Sequence, residues 1–88
     1  MKTVLEEALE LTSKDRHEEY GDVKQSFFNA GIIATVLCEK TITARDIAKI
    51  LIAVKLSREV NIHKRDTLVD VCGYTRLLSI LEGDENND

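Results

Sequence analysis

The sequence predicts an all-α fold, a compact bundle of about four helices, on three grounds. Proline is absent and glycine occurs four times in 88 residues, so little interrupts a helix. Apolar residues recur with a 3.6-residue period over most of the chain. Capping residues stand where several of those periodic runs begin.

The first helix is expected near residues 3–13, with Val4, Leu5, Ala8, Leu9 and Thr12 on one face. Glu6, Glu7 and Glu10 take the opposite one. After a polar connection, a second helix is expected from Asp22, which has Gln25 at capping-box spacing. It carries Phe27, Phe28, Ile32, Ile33, Val36 and Leu37 to about residue 39. Thr43 opens the third helix, with Asp46 three residues on. Residues 47–60 are apolar nearly all round, which predicts burial on more than one side. The fourth helix holds KRDTLVDVCGY, residues 64–74, capped either by Asp66 or by Thr67 in a box with Asp70. It fades at Gly83. Residues 1–82 then form one domain and residues 83–88 an acidic, disordered tail.

Composition narrows the function classes. At 43% hydrophobic and 32% charged residues the chain reads as an ordinary soluble domain. Without tryptophan and with only two Tyr and two Phe, its core is aliphatic and small. Such a core calls for support, and homo-oligomerisation is the simplest kind. A net charge of −4 argues against coating a nucleic-acid polymer. Cys38 and Cys72 lie in apolar helical runs and read as buried, reduced thiols. No apolar run approaches membrane-spanning length and acids interrupt the first helix, so a cytosolic setting is expected.

The charge pattern marks a site. Around the fourth helix, Asp66, Asp70, Gly73, Tyr74 and Leu77 fall within about 60° of one another. Leu68, Val71, Cys72, Thr75 and Leu78 form another stripe, expected to be the intramolecular core. Gly73 costs about 1 kcal/mol relative to alanine, which implies close approach of a backbone or a ligand. On the third helix, Ile47, Leu51 and Val54 form a seam that Arg58 continues. An arginine aimed inward needs an anion, supplied by Asp66, by Asp70 or by a phosphate. Lys55, Arg58, His63, Lys64 and Arg65 together concentrate basic charge in an acidic protein. The alternative is a structural ion pair beside a solvated corner. Tyr20 and Gly21 precede the second helix, where an anion is favoured, or they form a simple turn.

Several of these residues recur together in a known group. Asp15-Arg16, Tyr20-Gly21-Asp22, Ser26-Phe27, Lys55 with Arg58, and residues 64–74 resemble small helical proteins of phages and prophages. The chain is also similar to nucleotide-modification-associated domains, and distantly to MazG-like all-α nucleotide pyrophosphohydrolases. The resemblance implies a phage setting, host cytoplasm and a nucleotide connection. It marks Tyr20, Gly21, Lys55, Arg58, Lys64, Arg65, Asp66, Asp70 and Tyr74 as ligand-binding. Glu6, Glu7 and Glu10 match the E-E-x-x-E spacing with which MazG-like enzymes hold magnesium. The later E-x-x-D of those enzymes is replaced by Asp66 and Asp70, four residues apart.

The favoured expectation is a homo-oligomeric binder of a linear or cyclic nucleotide, one that sequesters a signal of host defence without a cofactor. The alternative is a pyrophosphohydrolase in which Asp66, Asp70, Glu7 and Glu10 hold Mg²⁺. A purely structural or interaction module is the third reading.

Overall fold

In a computed structural model of the chain, residues 1–13 and 23–84 are described. Four helices lie among them: α1, Val4–Leu11; α2, Val23–Cys38; α3, Ala44–Asn61; and α4, Arg65–Glu82. The fold is an all-α bundle. Asp22 and residues 85–88 of the expected tail lie outside the described residues.

Helix starts follow local chemistry. Thr3 accepts from the Glu6 backbone N–H at 3.1 Å, and the Glu6 carboxylate accepts from the Thr3 N–H at 2.9 Å. This reciprocal box opens α1. The predicted Thr43–Asp46 box has the same form, at 3.1 and 2.9 Å, and opens α3. Those hydrogen bonds hold the Glu6 and Asp46 carboxyls below their ordinary pKa values.

At the start of α4 the structure corrects both capping alternatives. The helix begins two to three residues earlier, with Lys64 at the cap, and the Lys64 side chain makes no capping hydrogen bond. Asp66 and Thr67 lie inside its first turn, and the Thr67 N–H donates to the Lys64 carbonyl at 3.1 Å. At its other end, Gly83 takes φ 87°. That lets the N–H groups of Gly83 and Asp84 reach the carbonyls of Ile80 and Ser79, at 3.0 and 2.9 Å. Gly83 and Asp84 thus close the helix.

Two tight approaches set the packing. A Cβ on Gly31 would stand 2.9 Å from the Ile42 carbonyl oxygen and 3.2 Å from the Ala44 nitrogen. Helix α2 therefore crosses the start of α3 backbone to backbone. The Thr35 hydroxyl ties the same crossing, donating to the Ile42 carbonyl at 3.1 Å and accepting its N–H at 2.8 Å.

The second approach is at Gly73, where a Cβ would meet the Thr12 methyl at 3.3 Å. Gly73 makes room for the end of α1. Arg76 fastens that end, with Nη1 2.7 Å from the Thr12 carbonyl oxygen. Arg65 fastens the other end through the Lys2 carbonyl and Glu7. Helix α1 thus runs parallel to α4. Helix α3 runs antiparallel to it, with Arg45 near Glu82 at 3.5 Å and Lys55 beside Asp70.

This arrangement reverses the expected faces of α4. Thr67, Val69, Gly73, Leu77 and Ile80 are buried, whereas Thr75 is exposed and Leu68, Val71, Cys72 and Leu78 are half-buried. The cause is α1, which docks over Gly73. On α3, Ala48 is buried while Val54 and Arg58 are exposed. The seam runs from Ala48 through Leu51 and Ile52 to Lys55, so Arg58 does not point into the core. Nor does the apolar circumference of α3 find all-round burial. Cys38 is also exposed, and Cys72 is half-buried.

Candidate functional site

The expected basic cluster gathers where α3 ends and α4 begins. Three residues, 62–64, join the helices, and the Ile62 N–H caps α3 by donating to the Arg58 carbonyl at 3.0 Å. This sharp return sets Arg58, on the last turn of α3, beside Lys64 at the head of α4. With Ser57, Asn61, Ile62 and Thr67 they line an open cleft of about 490 Å³. That volume lies within the range of small-molecule sites.

The basic residues divide sharply by partner. Lys55 lies 2.9 Å from Asp70 across α3 and α4. His63 is paired with Glu59, and Arg65 with Glu7. Arg58 and Lys64 have no ion pair among the described residues. Arg58 closes α3 and Lys64 opens α4, where the Lys64 side chain makes no capping hydrogen bond and the Lys64 N–H donates to Glu59 Oε1 at 3.4 Å. Two cations, backbone N–H groups, the Thr67 hydroxyl and the Ser57 and Asn61 polar groups can together hold an anion such as a phosphate.

The other sequence-marked residues take different places. Arg65 belongs to the α1–α4 contact, through its Glu7 pair and its 2.7 Å bond to the Lys2 carbonyl. Asp66 is exposed, and the expected pairing of Arg58 with Asp66 or Asp70 does not form; Lys55 takes Asp70 instead. Asp70 and Tyr74 line a second, largely apolar cleft of about 370 Å³, with Leu11, Phe27, Val69 and Leu77 among its walls. Asp70 on its wall stands about one helical turn along α4 from Thr67 of the Arg58 cleft. Tyr20 and Gly21 lie outside the described residues.

The acids are not gathered around one point. Glu7 pairs with Arg65, Glu10 with Lys2 and Asp70 with Lys55. Among the described residues no three His, Cys, Asp or Glu side chains are placed to share a metal ion. No described helix is long and apolar enough to cross a membrane.

Ser57, Asn61 and Thr67 were not anticipated as part of the cleft. Their signal is that Ser57 and Asn61 are polar, four apart and flank Arg58 on the last turn of α3. Arg76, which anchors α1, offered only a charge among the apolar residues of α4.

Comparison with known proteins places the chain among phage-related sequences. It is 30% identical over 74 residues to the Gene 55 protein of Mycobacterium phage D29. That match covers 83% of this chain and 49% of the relative, so the chain spans about half the relative's length. No solved structure matches it. A family model described as Domain of unknown function (DUF6378) matches residues 3–82. The chain therefore belongs to the DUF6378 family.

Proposed function

We propose that this protein is a self-associating, phage-type binder of a phosphate-bearing nucleotide, with the phosphate held at the α3–α4 corner. One observation carries the reading. In a chain of net charge −4, Arg58 at the end of α3 and Lys64 at the start of α4 share a cleft and have no ion pair among the described residues. The neighbouring basic residues Lys55, His63 and Arg65 are all engaged by carboxylates. A bidentate guanidinium and an ammonium beside the first turn of α4 suit a phosphate group.

Tyr74 and the apolar cleft beyond the Lys55–Asp70 pair offer a surface for a nucleobase. The similarity to a phage gene product gives such binding a use, sequestration of a nucleotide signal of host defence in the host cytoplasm. Engagement of Glu7, Glu10 and Asp70 by basic side chains favours retention over metal-assisted hydrolysis.

The test is incubation of the full chain with a panel of linear and cyclic nucleotides and Mg²⁺, followed by heating and analysis of what is released. Recovery of an intact nucleotide supports the reading. Converted products contradict it in favour of an enzyme, and absence of depletion contradicts nucleotide binding altogether.

A further inference from the structure

Helix α2 lacks the charged outer face that a surface helix of a monomeric domain carries. Lys24 is its only ionic residue, and the stretch from Gln25 to Cys38 holds none. Yet Phe28, Ile32, Ile33, Val36 and Leu37 are between 51% and 77% exposed. Phe28, Ile32 and Val36 recur every four residues and form one wall of an apolar groove. The turn into α3, from Thr41 to Ala44, forms the other wall. Ile33 and Leu37 continue the patch around the helix.

The five exposed side chains present roughly 500 Å² of apolar surface, near the upper range of the largest patch on an ordinary monomer. Each partner in a standard interface contributes about 800 Å², so this one helix supplies more than half of that. Beneath it the core is slight. Its buried apolar side chains among those described are Ala8, Ala48, Val69, Leu77 and Ile80, two of them alanines. A domain of this size with so few buried side chains is marginal alone.

We propose that the outer face of α2 is a self-association surface on which a second copy of the chain seats its own α2. A charge-free apolar face is complementary to itself. A two-fold contact therefore sets like against like without opposing charges. A charged partner protein finds nothing on this face to pair with. The proposal rests on the self-associating reading above and names its interface.

Sedimentation velocity of the full chain over a wide concentration range tests it, beside Val36→Glu and Val60→Glu. Val60 is 90% exposed on α3, outside the patch. The wild type and Val60→Glu are expected to sediment at multiples of 9.9 kDa, and Val36→Glu at one. A wild type that stays at monomer mass overturns the proposal and leaves the face to a different protein. Assembly that survives Val36→Glu also overturns it, as does loss of assembly in Val60→Glu alone.

If Val36→Glu does not fold, carbene footprinting of the wild type decides. Ile33, Val36 and Leu37 are expected to be protected in the assembled form, and equal labelling of assembled and dissociated chains overturns the interface. Nucleotide retention is scored separately. A monomer with Arg58-dependent retention removes the interface alone, and an assembly with no retention removes the ligand reading alone.

Discussion

Lys55 Nζ lies 2.9 Å from Asp70 Oδ2, joining the middle of α3 to the middle of α4, with the lysine 21% and the aspartate 37% exposed. This pair occupies the position in the α3–α4 seam that the helical period had suggested for Arg58. Its partial burial makes it a contributor to register, and Arg58 is left to face the corner cleft.

The pair is expected to show a coupling of about 1 kcal/mol in a double-mutant cycle of Lys55→Met and Asp70→Asn, read by chemical denaturation. Additive effects of the two substitutions would mean that the bridge does not tie the helices.

Gly31 and Gly73 should respond differently to alanine, although both lie in helix interiors and gain the same propensity, about 1 kcal/mol. At Gly31 the new methyl meets the Ile42 backbone at 2.9 Å, so the crossing must move, and a net loss of about 1–3 kcal/mol is expected. At Gly73 it meets only the Thr12 methyl at 3.3 Å, and stability should stay within about 1 kcal/mol of wild type. Denaturation of both variants checks the order. Equal losses would show that α2 does not cross α3 as closely as described.

Acid should weaken the helix starts of α1 and α3. Glu6 and Asp46 have pKa values lowered by hydrogen bonds to Thr3 and Thr43, so the unfolded chain binds protons more readily. Their stabilisation is present above the unfolded pKa and is lost as pH falls through the folded one. It should therefore be intact above about pH 5 and fade below about pH 4. Asp46→Asn together with Glu6→Gln should flatten that part of the stability–pH curve. An unchanged acid limb would argue against the two boxes.

What could be read from sequence was what is local. The Thr43–Asp46 box and the glycine stop at Gly83 depend only on neighbouring residues, and both stand as expected. The faces of α4 were misassigned because they depend on α1, whose docking over Gly73 is a contact between distant parts of the chain. Arg58 and Lys55 are three residues apart, and the packing angle of α3 on α4 chooses which one faces inward. Helical spacing alone leaves that choice open. The basic corner itself was visible as a concentration of charge, but only the fold separates paired Lys55, His63 and Arg65 from Arg58 and Lys64.

Arg58→Met tests the central claim most directly, measured at once for nucleotide retention and for thermal unfolding. Arg58 is exposed and has no ion pair among the described residues, so the melting temperature should shift little, by about 0.5 kcal/mol or less in stability. Retention of an intact nucleotide from the panel should fall at least tenfold, the loss of one charge-assisted contact to phosphate. Retention equal to wild type with a lowered melting temperature would contradict the account and make Arg58 a structural residue.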